Sequence, residues 1–524
     1  MRSILSYGGS GDAMAGAENN ALRRLASPSI VLGTACLLLH LIVNTRYGVF
    51  RDELYFIVCG EHPALGYVDQ PPLIPLIAGA SHALFGTALT PLRLIPALAM
   101  SATVALAAEF AGILGGGRFA QWLSGLALLV GPVFLVEGLL LSTDALQPLT
   151  WLACGWCLTR IAQTGDERWW LGFGLAAGIA LISKFMIFFY LAGLAVGVLA
   201  TPFRRSLSKP WLYIGALITL IFLAPSLYWQ AENGWPFLEL GKAAVEGKNL
   251  VLSPLGFLGQ QALLVGPASA PIWLAGLWRL AVRPPLPHLR VFPIAFVTTG
   301  VLVYALHGKA YYPTPMYPVL LVGGALAIDS WLVRPAYRWV AAGAIAVAGA
   351  IGAPLALPIL PPEDYRAYAR SLGMSPGAAA MEKGVPSELP QPLADMFGWR
   401  EMAEKVSAAY NALPPDERAK AVFFGRNYGE AAAIDVYGPA LRGPPAISGH
   451  NNYYLWGPRG FDGSVTIVVG GDPVQYARFF RSVERVGELD SPYAMPSETM
   501  IPVYVLRDPR VPFATAWPTL KHYD

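Results

Sequence analysis

The sequence predicts a polytopic α-helical membrane protein with about 11 transmembrane helices and a C-terminal extracytoplasmic α/β domain, and three observations carry that expectation. Of the 524 residues, 55% are hydrophobic and only 14% charged, the balance of a multi-span chain. Up to residue 357 the apolar residues fall in runs approaching the roughly 20 residues that a bilayer demands. Beyond residue 360 the chain turns polar and alternates short β-like runs with helical stretches.

Taken in order, residues 1–26 read as a cytoplasmic tail and residues 27–357 as the membrane domain. Spans are expected near 27–45, 93–113, 120–140, 145–162, 169–184, 186–202, 211–229, 259–280, 291–307, 313–332 and 336–357. The first follows Arg23 and Arg24 as a signal peptide would, but lacks a clear small-residue cleavage site and reads as a retained helix. Lys184 interrupts a nearly continuous apolar run, so the fifth and sixth spans have one tilted helix as their alternative. Alternating from a cytoplasmic start, every inner connection is basic, as the positive-inside bias requires. These connections hold Arg118, then Arg160 and Arg168, then Arg204, Arg205 and Lys209, then Arg283 and Arg290, and finally Arg334 and Arg338. Asp52, Glu53, Glu61, Asp69 and Asp144 fall on the opposite side.

The net charge of +3 is spread over many short loops and gives no footprint for nucleic acid. Four cysteines are present and none lies beyond residue 157, so the polar C-terminal part has no disulfide framework. Cys154 and Cys157 share a helix face and read as small apolar fillers.

Between the first two spans, residues 46–92 form an unusually long outer loop containing RDELYFIVCGEHPALGYVDQPPL. DELYFIV predicts a short interfacial helix with Asp52 and Glu53 at its N-terminus, where backbone amides favour negative charge. HPALGYVDQPPL reads as a proline-fixed turn, and PPLIPLIAGASHALFG as a second interfacial helix. A solvated anchoring loop is the plainer reading, but it accounts poorly for acidic residues held so close to the bilayer.

RDELYF, GYVDQPPL and the following LFG resemble the first outer loop of the bacterial protein O-mannosyltransferase and aminoarabinose transferase superfamily. These are GT-C glycosyltransferases that use polyprenyl-phosphate sugars. The resemblance continues through STDALQ, LISKF and HGKAYYPTPMYPVL and covers most of residues 27–357. It implies transfer of a sugar to a hydroxyl of an envelope lipid, glycan or protein, on the outer face of the cytoplasmic membrane. It also implies that Asp52 is the general base, with Glu53 and Asp144 as supporting acidic residues. An inverting hydrolase needs a second carboxyl group to protonate a poor leaving group, whereas a polyprenyl phosphate departs as a stable anion. One base plus cationic clamping therefore suffices.

Lys184 and Lys309 sit on the outer side as candidates for the donor phosphate, with Arg51 and Arg93 behind them; snorkelling is the ordinary alternative for the lysines. His62, Tyr67, Asp69, Gln70, His307, Tyr311 and Tyr312 complete the expected donor or acceptor site. Asp144 reads equally well as a helix N-cap. No cofactor is expected. A divalent ion held by some of Asp52, His62, Asp69 and Asp144 is chemically compatible, although their spacing matches no compact metal motif. Gln70 stands where many relatives carry histidine, which weakens that proposal further.

Residues 358–524 predict strands at AVFFG, VTIVVG and IPVYVL, with helices at EMAEKVSAAYNALP and GEAAAIDVYG. Two loops offer an outer acceptor site: Asn427, Tyr428 and Glu430 in one, and His450, Asn451, Asn452, Tyr453 and Trp456 in the other. A structural lid is the competing reading of both. FGRNYG lacks the glycine spacing of a dinucleotide site. A transporter of a lipid-linked sugar would use intramembrane ionisable groups equally well, but predicts polarity at the midplane and repeated halves, neither of which the sequence displays. A noncatalytic envelope assembly protein is the remaining alternative.

Overall fold

The computed structural model describes residues 27–374, 383 and 387–524; the expected cytoplasmic tail, with Arg23 and Arg24, lies outside them. The chain enters through α1 (Pro28–Val43), capped by the Ser27 hydroxyl, and then builds the outer loop from α2 (Arg51–Glu61) and α3 (Leu73–Phe85). The membrane portion continues with α4 (Leu94–Ile113), α5 (Arg118–Leu129), α6 (Pro132–Leu139), α7 (Gln147–Thr164), α8 (Trp169–Ser183) and α9 (Ile187–Ala200). It closes with α10 (Pro210–Glu232), α11 (Pro254–Val265), α12 (Ala270–Val282), α13 (Val291–Ala305), α14 (Tyr317–Trp331) and α15 (Pro335–Ala356).

Each expected span therefore contains helix, but the expected count of eleven is not reached by length and apolarity. Among the described residues four helices are long and apolar enough to cross a bilayer: α4, α10, α15 and Pro287–Ala305, which includes α13. Three bent pairs raise the number to seven at most. The expected span at 259–280 is one of these pairs, bent by 99° where Gly266 takes φ 99° and Pro267 follows. Another, α5 with α6, bends by 65° ahead of Pro132. Lys184 does divide two helices: its backbone is extended (φ −155°, ψ 137°) between Ser183 and the turn into α9.

The C-terminal part supplies α16 (Trp399–Asn411), β1 (Ala421–Gly425), α17 (Tyr428–Leu441), β2 (Ala446–Ser448), α18 (Asn451–Trp456), β3 (Val465–Val469), β4 (Phe480–Leu489) and β5 (Ile501–Pro509). The mixed sheet has order β2-β1-β3-β5-β4, with β1 parallel to β2 and β3, and β5 antiparallel to β3 and β4. The three expected strands are β1, β3 and β5. β3 is buried along its whole length, as a central strand of apolar β-branched residues should be. β4 is an edge, and its Arg481, Glu484, Arg485 and Glu488 put charge where an open strand would otherwise invite pairing.

One hydrophobic core joins the outer loop to this domain. Leu54, Tyr55, Ile57, Val58 and Cys59 of α2 pack in the same cluster as Trp399, Met402, Phe423, Ala431 and Ile467. The expected interfacial helix α2 has no free face: its residues from Glu53 to Cys59 are all buried, because the sheet domain packs over it. A fully buried side chain of this size contributes about 1.5–3 kcal/mol, so the sheet domain adds directly to the stability of α2. On its other side α2 crosses α3 so closely that a Cβ on Gly60 would strike the Pro75 carbonyl.

Candidate active site

The N-terminus of α2 presents three consecutive charged side chains in different surroundings. Glu53 is fully buried; its carboxylate accepts from Phe50 N (2.9 Å), Leu141 N (3.1 Å), and Arg93 Nε (2.9 Å) and Nη2 (2.8 Å). Arg93, also fully buried, donates in addition to the carbonyls of Asn44 (2.6 Å) and Gly48 (2.8 Å). This pair ties α2 to the start of α4 and to the chain entering α6–α7. Arg93 is corrected as a phosphate ligand, and Glu53, expected as a supporting acidic residue, supports only structurally: neither presents surface to a substrate, and their hydrogen-bonding groups serve each other and the backbone.

Asp52 is 31% exposed at the side chain. It accepts from the Tyr428 hydroxyl at 2.7 Å and lies 3.5 Å from Arg51 Nε. Arg51 reaches on to Asp395 (3.6 Å) and lies over the Tyr428 ring. Asp69 stands in the same neighbourhood, accepting from the Tyr55 hydroxyl at 3.1 Å. Burial pushes its pKa up to about 7, with the negative charge of Asp52 acting in the same direction and the Lys248 charge opposing it. The Asp69 turn is held by Asn452, which accepts from Val68 N (2.7 Å) and donates its own backbone N–H to the Tyr55 hydroxyl (3.3 Å).

Tyr67 and Gln70 are buried parts of that turn. The Tyr67 hydroxyl donates to the Cys59 carbonyl (2.7 Å), and Tyr67 N donates to the Gln70 carbonyl (2.9 Å). His62 lies apart, stacked on Trp456 with ring centroids 4.5 Å apart.

A second cluster forms where α8 ends. Lys184 Nζ donates to Asp144 at 2.6 Å and lies 5.2 and 5.4 Å from the Tyr311 and Tyr312 ring centroids; Lys309 lies 6.0 Å from the Tyr311 centroid. Asp144 is not the N-cap, since α7 is capped at Leu146. His307 is exposed in a left-handed turn (φ 53°), and its carbonyl accepts from Asn249. Sequence reasoning missed Glu137, a buried α6 carboxylate whose Oε1 is 3.4 Å from Thr314 Oγ1. Its signal was a single acid inside the apolar run VFLVEGLLL.

The expected outer-domain acceptor site is corrected: Glu430, Asn451, Asn452 and Tyr453 are all buried at 2% exposure or less. Asn427 caps α17 by accepting from Glu430 N, Glu430 binds Arg426, and Tyr453 donates to Asp435 (2.8 Å). These groups knit the domain together rather than line a surface.

The four residues considered for a divalent ion do not form a ligand group among the described residues; those that could hold one are His450, His522 and Asp524, with ligand atoms within 4.8 Å of one another. His450 Nε2 meets Asp524 Oδ1 at 2.5 Å, while Nδ1 accepts from Tyr428 N at 3.3 Å. His522 has both ring nitrogens on carbonyls, Leu520 at 3.0 Å and Arg426 at 3.2 Å. An ion would have to displace those contacts. Burial lowers the His450 pKa, and the His450 hydrogen bond brings Asp524 down to about 2.

The fold as a whole matches ArnT from Cupriavidus metallidurans. Against the apo crystal structure the TM-score is 0.62 at 17% identity, covering 91% of this chain and 97% of ArnT. The chain has the fold of ArnT. With ArnT bound to undecaprenyl phosphate the TM-score is 0.59 at 16% identity, over 92% and 98% of the two chains. Residues 69–229 match the family model for dolichyl-phosphate-mannose-protein mannosyltransferase, a segment that runs from Asp69 through both Asp144 and Lys184. Lipid A galacturonosyltransferase RgtD of Rhizobium johnstonii is 23% identical over 233 residues, which is 44% of this chain. The chain spans about half the length of that curated relative, 48%. In this fold the Asp52 group lies under the sheet domain, and the Lys184 group lies at the break between α8 and α9.

Proposed function

We propose that this chain is an inverting glycosyltransferase that moves a sugar from a polyprenyl-phosphate donor to a hydroxyl of an envelope lipid, glycan or protein. The observation that carries the reading is Asp52: a partly exposed carboxylate at the first turn of a rigid buried helix, held by a hydroxyl on one oxygen, in a chain with the fold of ArnT. The acceptor oxygen forms its bond to the anomeric carbon as the carbon–phosphate oxygen bond breaks. The acceptor proton passes to Asp52, and the electron pair leaves with the phosphate. Lys184 and Lys309 neutralise that phosphate, and Tyr311 and Tyr312 flank it. No metal step is required.

In this reading the eleven apolar helical segments all cross or enter the cytoplasmic membrane of a bacterium. The short and bent ones lean on their neighbours, and the Asp52 group and residues 358–524 lie outside. Residues 27–357 form the membrane part and 358–524 the outer domain, acting as one unit through their shared core.

The test is mass spectrometry of lipid-linked sugars, envelope glycans and glycoproteins from cells with the wild-type gene, a deletion, or Asp52→Asn at matched protein levels. Loss of one glycoform in both altered strains, with accumulation of its lipid-linked donor, supports transfer and identifies the sugar. Retention of the product by Asp52→Asn removes the proposed base.

A further inference from the structure

We infer that Tyr428, supplied by the outer domain, is the positioning residue that holds Asp52 ready to accept the proton; this rests on the transferase reading above. Among the described residues the Asp52 carboxylate has two side-chain partners, Tyr428 and Arg51, and both are on Oδ1. The phenol makes the shorter contact, 2.7 Å against 3.5 Å. A hydroxyl donating to one carboxylate oxygen fixes the plane of the group and leaves the other oxygen to take the acceptor proton.

Tyr428 is itself fixed on every side. It is the first residue of α17, behind the Asn427 cap. Its ring lies 4.5 Å from that of Tyr55 and 4.8 Å from that of His450, and its N–H donates to His450 Nδ1. The next residue is Gly429, where a Cβ would strike the Arg51 side chain, so any larger residue there would have to displace Arg51 from beside Asp52. The residue is 8% exposed, and nothing about its packing requires a hydroxyl.

The charged and titratable groups facing this contact are Arg51 and Asp69 from the outer loop, Asp395 behind Arg51, and His450 with Asp524 and His522 from the outer domain. Burial keeps the Tyr428 phenol protonated, so it donates and does not transfer its proton.

The experiment uses membranes of the deletion strain carrying the full chain as wild type, Tyr428→Phe or Asp52→Asn at equal membrane levels. The probe is the endogenous lipid donor, extracted and added back at varied concentration with the endogenous acceptor; the readouts are the initial rate of formation of the deletion-sensitive product, which separates kcat from KM, and the melting temperature of the full chain. Without the phenol the Asp52 carboxylate loses the hydrogen bond that orients it, so Tyr428→Phe lowers kcat about tenfold while the donor KM and the melting temperature stay near wild type. A loss of rate that tracks a lower melting temperature, a change in KM alone, or no change overturns the role of Tyr428 while leaving the transferase reading intact. Full activity of Asp52→Asn overturns both.

Discussion

Replacing Arg93 by methionine tests the statement that the Glu53–Arg93 pair is structural. Both side chains are fully buried, 2.8 Å apart, and Arg93 gives two of the four hydrogen bonds that Glu53 receives. Arg93→Met keeps only the unbranched apolar stem of the side chain and leaves a buried carboxylate and the Asn44 and Gly48 carbonyls without their donor. Breaking one partner of such a pair costs about 3–5 kcal/mol. Spread over a unit the size of the outer loop and sheet domain, that lowers the unfolding midpoint by roughly 6–20 °C. The double variant Glu53→Gln, Arg93→Met removes the stranded charge and recovers at least about 2 kcal/mol relative to additive losses. The assay is intrinsic tryptophan fluorescence of the full chain in detergent during heating, with Trp399 in the affected core. A shift under about 2 °C for the single variant, or strictly additive losses, refutes the pair as the anchor of α2.

Three further outcomes are expected. Asp69 has its pKa raised to about 7, so it opposes stability as pH rises from about 4 through 7 and does so fully above that. Asp69→Asn should therefore raise the melting temperature relative to wild type at pH 8 more than at pH 4.5, by an amount corresponding to at most about 4 kcal/mol; an equal effect at both pH values contradicts the assignment. Lys184→Met, which also strands Asp144, should raise the donor KM at least about tenfold with a smaller change in kcat in a reconstituted transfer assay, and an unchanged KM removes it from the phosphate site. Gly429→Ala would ordinarily gain up to about 1 kcal/mol of helix propensity. Its Cβ meets Arg51, so a lower melting temperature and reduced transfer are expected, and a stabilised, fully active variant refutes the close approach.

Much of the site was legible because its chemistry is local. RDELYF places Asp52 at a helix N-terminus, and Lys184 announced a helix break by interrupting an apolar run. The bend at Gly266–Pro267 was also visible in the sequence, but the apolar count across 259–280 concealed it. β4 escaped notice because an edge strand alternates charge with few apolar residues, and β2 because it has only three residues. The roles of Glu53 and Arg93 were not readable, since burial converts an exposed-looking acid and base into one saturated pair. The contact of Tyr428 with Asp52 spans 376 positions, a separation over which periodicity and spacing carry no information.

The core shared by α2 and the sheet domain also sets an order of events during synthesis. The sheet-domain core partners of α2 begin at Trp399, about 340 residues after Glu61, so at 5–20 residues per second the ribosome needs roughly 17–70 s to deliver them. Throughout that interval Leu54, Tyr55, Ile57 and Val58 have been translated without the surface that finally buries them. A nascent chain arrested before residue 399 should accordingly be open to proteolysis at α2 even when its bundle helices are in place, and a holdase would find its substrate there.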